Sequence, residues 1–553
     1  MKPLYQSYRD SFRKNVCHAS AEENVIGAPV VSMFAEADFL SSVSVKQPQN
    51  VFFRLDSAMN VIDKDGEIVA PLYDCLAASD CFIPVFCIKD EQTIDALATF
   101  TYENLIADAT VCVPYEKREL LGVVLAKMPM LRRMVDARGL TEQNLTSEED
   151  IFSLAGDVWQ ANSMMILLPA TVCQRRVVSI LQHRFVQVWA DCGASSLAPA
   201  LTAGVNGFIC NGVAGAYDLL DRMPEGTVTR RVLVYAHKGF QNEGENPENT
   251  VLAVKLAKQH GIDGAEIDIK LSSDGVPILM HDFSTNKMLL TAPGQIFEEL
   301  CWDEIRVMER ERYRGVYIDR LEDVMAAVKG DERFAVMIEF KPREGFYHIE
   351  RMAHLTRELL NETGMEYQAL ITMGDTPPSV NYVQTVLPRL PKVFGLWENI
   401  KDPQDMATIE GMLFRYCFRL SGKTAVPSLE DVMVNRAFGE QAKLRGIPPF
   451  VWMRGDYYYP SQWDDACHRS DDALVSGFFG SCADHAARYF HLPVELGIDE
   501  NGSPVGIYRS GERKVAEGAV LIELSDGYFA YALRLTLPMG KTYVLLTEAF
   551  KQS

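Results

Sequence analysis

The stretch from residue 232 to residue 282 constrains the fold of this 553-residue chain more than any other. It sets a buried strand, a helix start and a second strand around an unusual density of polar groups. Residues 232–236 (VLVYA) form a short apolar run of the kind that suits a parallel strand covered on both faces. His237, Lys238 and Gly239 follow where such a strand would end. Pro247, Glu248, Asn249 and Thr250 then precede helical apolar spacing through Val251, Leu252, Val254, Leu256 and Ala257, which Gly261 stops. Strand, loop and helix in that order begin a β/α unit.

The next strand carries Glu266 and Asp268 two residues apart, so both side chains leave the same face. Two adjacent carboxylates repel unless a cation lies between them, and all-oxygen ligands suit Mg2+ or Ca2+. Asp274-Gly275 reads as a two-residue hairpin turn between extended segments. A hairpin centred on that bond sets His281 opposite Asp268. A loop so short cannot make a parallel crossover, so the piece is expected to depart from plain β/α alternation. Further on, residues 336–341 (VMIEFK) read as another buried strand, ending in Glu339 and Lys341 with the same spacing. These ends supply a third acidic ligand and a cation.

HKG, PENT, EID, DG, HD and EFK, in that order between Arg231 and Tyr489, resemble the glycerophosphodiester phosphodiesterase family. The resemblance implies a TIM (β/α)8 barrel of the PLC-like phosphodiesterase type. It also implies metal-dependent hydrolysis of a glycerophosphodiester to sn-glycerol 3-phosphate and an alcohol. In that reading Glu266, Asp268 and Glu339 hold one Mg2+ or Ca2+, His237 and His281 do the acid/base work, and Lys238 and Lys341 meet the phosphate. Residues 450–453 (FVWM) resemble the family's penultimate strand and put Trp452 toward the substrate. Lys238 stands where the family usually has arginine, which keeps the charge but loses the planar fork that grips phosphate in two places.

At 553 residues the whole chain is too long for one ordinary core, so two or three domains are expected. Residues 1–228 alternate apolar strands with helical stretches, as in α/β domains. They also echo the second half: FIPVFCIK at 82–89 parallels FAVMIEFK at 334–341, with Cys87 in the place of Glu339 and Lys89 in that of Lys341. Residues 185–189 parallel 449–452, and 201–220 parallel 473–490. This first part is read as a degenerate, shortened, non-catalytic barrel-like domain. Asp56 is taken as a solvated loop acid, with Arg54 in the glutamate's place. The resemblance implies that residues 229–491 are the catalytic barrel, with an excursion over its mouth at 283–320, and residues 321–328 read as the helix before the EFK strand. Residues 492–553, with Gly-containing turns at 501–502, 510–511, 526–527 and 539–540, are a small all-β module.

A formal charge of −21 sets the whole-protein field against nucleic acid and anionic membranes, and the small-molecule glycerophosphodiester partner is what the resemblance implies. The 12 cysteines lack the short paired spacing of a zinc or disulfide framework. With no signal-like or membrane-spanning run in the sequence, a cytoplasmic setting without stable membrane association is expected, and self-association is left open. Two other classes of function stay in view. One is a lipid-directed phosphodiesterase similar to phosphatidylinositol-specific phospholipase C or sphingomyelinase D. The other is a non-catalytic binding protein.

Overall fold

The short apolar runs become parallel strands, and in the computed structural model they close into two separate barrels of eight strands each. The structure describes residues 24–552 apart from 43–47, 79–81, 107, 231–232, 242–243, 287, 332, 344–345, 374–376, 396–416, 423–442, 454–476, 481–491 and 537–541.

The first barrel runs Val30–Phe34, Asn50–Leu55, Ile83–Cys87, Thr110–Pro114, Arg132–Asp136, Met165–Pro169, Gln187–Gly193 and Gly207–Cys210. The last strand pairs in parallel with the first, which pairs with the second, so the ring is complete. The copy is therefore not shortened. Its interior is filled by apolar residues such as Phe52, Val85, Met165, Leu167 and Trp189, so its strands lack the polar marks that betray their counterparts in sequence.

The second barrel runs Leu233–Ala236, Gly264–Leu271, Ala335–Phe340, Ala369–Met373, Lys392–Gly395, Cys417–Gly422, Pro449–Met453 and Gly477–Gly480. It closes where the first strand pairs with both the second and the last. Helix Val251–Gln259 starts at Thr250, whose hydroxyl accepts the Ala253 N–H at 3.1 Å, and helix Leu321–Val328 precedes the Ala335–Phe340 strand. In each barrel the second strand also carries an antiparallel neighbour, Asn60–Ile62 in one and Pro277–Leu279 in the other.

The barrels stand base to base. Leu444, just before the Pro449–Met453 strand, joins the first barrel's interior core, and its carbonyl accepts the Asn50 amide at 3.1 Å. Gly446 (φ 62°) lies so close to Met165 that a Cβ there would meet its sulfur at 2.2 Å. Arg445 reaches Asp108, which also pairs with Arg132 at 2.6 Å; although burial opposes ionisation, the two guanidiniums hold the Asp108 carboxyl down at about 2. Arg184 donates to the Ala369 carbonyl at 3.0 Å. Asn50, Asp108, Arg184 and Ala369 all lie at the amino ends of strands, so the two carboxyl-end mouths face away from each other.

The C-terminal strands form a three-stranded antiparallel sheet, Glu495–Ile498, Pro504–Ile507 and Arg513–Val515, and a second sheet around Tyr528–Thr536. That second sheet is not built from the C-terminal segment alone. Thr227–Val228 pairs in parallel with Thr542–Leu546, and Val25–Ile26 pairs in turn with Thr227–Val228, so both ends of the first barrel cover what would be a bare sheet edge. Arg175 ties the module down, donating to the carbonyls of Leu496 (2.9 Å), Leu546 (2.9 Å) and Thr202 (2.7 Å). No helix among the described residues is long and apolar enough to cross a membrane.

Arg445→Ala leaves the buried Asp108 carboxylate with one guanidinium instead of two, and is expected to lower stability by about 3 kcal/mol. Denaturant unfolding of the full chain measures it. Because the Asp108 pKa is depressed, its stabilising share is present above the unfolded carboxylate range and fades as pH falls toward about 2.

Candidate active site

Glu266 and Asp268 leave the same face of Gly264–Leu271, and the parallel register sets Asp268 beside Glu339 of Ala335–Phe340. One oxygen from each of the three carboxylates lies within 4.8 Å of the other two, and all three residues are buried. Among the described residues this is the one group of three or more His, Cys, Asp or Glu with that spacing. Burial, then the charges of Asp268 and Glu339, push the Glu266 pKa well above the usual carboxylate range. Glu266 Oε1 is buried without a hydrogen-bond partner. A buried, unpartnered oxygen inside a mutually repelling acidic triad fits a divalent cation with oxygen ligands, which would relieve both penalties at once.

The loop after Leu233–Ala236 wraps this triad. Lys238 adopts a left-handed backbone (φ 52°), and its N–H donates to Glu266 Oε2 at 2.8 Å. His237 Nε2 lies 3.9 Å from the same oxygen, and the Gln241 side-chain amide is 3.2 Å from His237 Nδ1. The Lys238 ammonium sits 3.2 Å from both oxygens of Glu248. Glu248 is thus a partner of Lys238, and the helix cap falls to Thr250. Asn249 makes a reciprocal pair with Asp268: its amide donates to Asp268 Oδ2 at 2.9 Å and its carbonyl oxygen accepts the Asp268 N–H at 2.8 Å. Asn249 is 1% exposed and left-handed (φ 53°), and the buried Arg310 donates to its main-chain carbonyl at 3.2 Å. Sequence reasoning gave neither Asn249 nor Arg310 a role. Asn249 is marked only by its place in PENT, and Arg310 by nothing, since it comes from 61 residues away.

The hairpin after Gly264–Leu271 pairs one residue out of step with the register expected of a two-residue Asp274-Gly275 turn. Ile269 faces Leu279 and Leu271 faces Pro277, and the Met280 N–H donates to the Asp268 carbonyl at 3.0 Å. Met280 therefore takes the place opposite Asp268, and His281 follows once the ladder has ended. The cause is a three-residue loop, Ser273 to Gly275, in which the left-handed Gly275 (φ 87°) donates to the Ser272 carbonyl at 3.0 Å. His281 Nδ1 lies 2.9 Å from Asp282 Oδ1; the hydrogen bond from His281 leads the effects that hold the Asp282 carboxyl below its usual range.

The Lys341 ammonium lies 2.8 Å from Glu339 Oε1 and 3.6 Å from Asp268 Oδ1. Burial opposes its charge, but the three acids outweigh burial and raise its pKa. Lys270, which the sequence reading passed over, extends the Glu266, Asp268 face by one more alternate position. It is buried, donates to the Lys341 carbonyl at 2.7 Å, and has its pKa lowered to about 8, chiefly by burial. The 283–320 excursion has its own small core of Leu289, Phe297, Ile305, Met308 and Ile318 against Ile278 and Met280. Trp452 lies in Pro449–Met453, in register with Ser421 and Phe479, but its side chain falls outside the described residues.

The first barrel's register shows what became of the same positions. Arg54 pairs with Cys87 as Asp268 pairs with Glu339, so with Cys87 in the place of Glu339, Arg54 occupies the aspartate's place and Phe52 the glutamate's. The expectation that Arg54 replaced the glutamate was off by one alternate position, because the sequence had no ladder to count along. Arg54 pairs with Glu36 at 2.8 Å and lies 3.9 Å over the Phe34 ring. Asp56 closes its own turn, accepting the Ala58 N–H at 2.9 Å and the Asn60 N–H at 2.8 Å.

Residues 237–480 match the model of the Glycerophosphoryl diester phosphodiesterase family. A protein named glycerophosphodiester phosphodiesterase from Bacillus altitudinis is 29% identical over 142 residues, 25% of this chain and 56% of that protein. One of the same name from Caldanaerobacter subterraneus subsp. tengcongensis is 34% identical over 118 residues, 20% of this chain and 46% of that protein. The chain thus spans about half the length of the curated relatives it matches. Among solved structures, an Oleispira antarctica phosphodiesterase in complex with the product sn-glycerol-3-phosphate aligns at 18% identity and a TM-score of 0.35, covering 45% of this chain and 93% of that one.

Adding Mg2+ or Ca2+ to chelated protein is expected to raise Tm, more at pH 8 than at pH 5, since protons compete for the acids. In chelator the sign reverses: Glu266 has a raised pKa, so its contribution falls as pH rises from the unfolded carboxylate range toward the folded value. Glu266→Gln should abolish the metal-induced shift and raise the Tm of the metal-free protein. Asn249→Ala should weaken metal binding about 10- to 100-fold in calorimetry, through loss of its grip on Asp268.

Proposed function

We propose that residues 237–480, which match the model of the Glycerophosphoryl diester phosphodiesterase family, hydrolyse a glycerophosphodiester to sn-glycerol 3-phosphate and an alcohol. The observation that carries this reading is the buried triad of Glu266, Asp268 and Glu339, with one oxygen left without a partner, at the carboxyl end of a barrel. The names of the matched relatives support it.

The triad is the ligand set for Mg2+ or Ca2+, and a cation bound there would neutralise charge at the phosphoryl oxygens. Lys341, 2.8 Å from Glu339, adds positive charge at the same place. Lys238 is assigned to the phosphate as well, and an arriving phosphate would draw its ammonium from Glu248. Asp282 accepts from Nδ1 of His281, which fixes the proton on that nitrogen and leaves Nε2 as the basic one. His237, its Nδ1 facing the Gln241 amide, presents Nε2 toward the acids. Two imidazoles in opposite tautomers supply one proton acceptor and one donor, as phosphodiester cleavage needs. Trp452 is assigned to the substrate. The first barrel, with Phe52, Arg54 and Cys87 at the triad's positions, takes no part in the chemistry in this reading. The cytoplasmic setting read from the sequence belongs to the same proposal.

The test is release of glycerol 3-phosphate from glycerophosphocholine, glycerophosphoethanolamine and glycerophosphoglycerol, with and without EDTA. At least one soluble diester should be cleaved in a chelator-sensitive way, and His237→Ala should lower kcat by at least about 10²-fold. Activity indifferent to EDTA would remove the cation from the scheme, and cleavage of lysophospholipid alone would favour the lipid-directed class.

A further inference from the structure

A buried guanidinium without a counter-ion stands behind the loop that carries Glu248. The Arg310 side chain is 2% exposed and donates to the Asn249 main-chain carbonyl at 3.2 Å. Its Nε is buried without a hydrogen-bond partner, and no carboxylate among the described residues is bonded to it. Arginine keeps its charge at any working pH, so burying it unpaired is costly.

Two acids lie close enough to act on that charge, Glu248 and Asp319, with the Tyr313 hydroxyl beside them. Asp319 is already used at the start of the helix, where it accepts the Val251 N–H at 2.8 Å. Glu248 is held by Lys238, whose ammonium is 3.2 Å from both its oxygens, and the two side chains are only 15% and 17% exposed. The main chain around Glu248 is fixed on both sides. The Asn249 N–H donates to the Lys238 carbonyl at 2.8 Å, and the Tyr313 hydroxyl donates to the Gly244 carbonyl. What is left to turn is the Glu248 side chain, with Lys238 on it and Arg310 as the nearby cation that lacks a carboxylate.

The phosphate role proposed for Lys238 sets a problem that this arrangement answers. When the ammonium moves to a phosphate, Glu248 is left as a largely buried carboxylate with no cation, and that opposes the move. We propose that Arg310 is a positioning residue that takes over the Glu248 carboxylate as the substrate phosphate takes Lys238. One ion pair is then exchanged for two, and the guanidinium that was buried unpaired gains its counter-ion. This rests on the phosphate site proposed above and deepens it.

The test is phosphate binding, with sn-glycerol 3-phosphate as the probe, by calorimetry on the full chain in Mg2+ and in Ca2+. Arg310→Gln keeps a donor for the Asn249 carbonyl but loses the charge, and should weaken Kd about tenfold. Arg310→Lys, which keeps the charge, should recover most of that loss. In a Glu248→Gln background no carboxylate is stranded, so adding Arg310→Gln should change Kd by less than about twofold. Equal losses in both backgrounds mean a purely structural arginine and overturn the exchange, as does a wild-type Kd in Arg310→Gln. A crystal structure of the wild type with sn-glycerol 3-phosphate gives a reading that needs no variant to fold. Glu248 should be paired with Arg310 there, and Glu248 still on Lys238 overturns the exchange. Absence of turnover on every glycerophosphodiester sinks the hydrolysis reading alone, since the exchange is judged on bound phosphate; absence of phosphate binding overturns the exchange.

Discussion

Three carboxylates forced into one buried spot are the constraint around which the second barrel is arranged. Left to themselves, Glu266, Asp268 and Glu339 would repel one another and resist burial, as the raised Glu266 pKa shows. The surroundings are built to hold them there. The Lys238 N–H and the Asn249 side chain supply donors, Lys341 supplies charge, and Lys270 pins the main chain that carries Lys341. Such a site stores an electrostatic penalty that a bound cation would relieve, which is how metal affinity and local stability become linked.

The chain builds a second closed ring of eight parallel strands, and the two rings differ at matching ladder positions. Where the second barrel has Glu266, Asp268 and Glu339, the first has Phe52, Arg54 and Cys87. The aspartate's place is taken by Arg54, ion-paired to Glu36 and set over the Phe34 ring, so a guanidinium stands where the second barrel has a carboxylate. Packing the bases together commits both barrels to one body. A residue of the second, Leu444, joins the interior core of the first, and its carbonyl accepts the Asn50 amide. The C-terminal sheet completes this arrangement by pairing with strands at both ends of the first barrel.

How much could be read in advance follows from the range of each interaction. The strand with Glu266 and Asp268, the helix after Thr250, and the Glu339, Lys341 strand were legible because alternation, capping and apolar runs are local properties of the chain. Lys270 was legible in principle, being the next alternate residue on the Glu266, Asp268 face, but a lysine in a buried strand gives no sign of what its ammonium will meet. Asn249 gripping Asp268 across 19 residues and Arg310 reaching Asn249 across 61 could not be read, because nothing local records them. The hairpin failed for a finer reason: Asp-Gly suits both a two-residue and a three-residue loop, and the choice moves every partner by one.

The sequence by itself determined the chemistry on offer, two histidines, three acids and their lysines on buried strands with a helix between, while the barrel was implied by the order of motifs and not by periodicity. Only the tertiary structure decided who meets whom. It set Met280 rather than His281 opposite Asp268, gave Lys238 to Glu248, closed the first eight strands into a full ring, and turned the two mouths apart. The physical reason is that strand and helix patterns are written in neighbouring residues, whereas register, ion pairing and barrel closure depend on contacts between segments far apart in the chain.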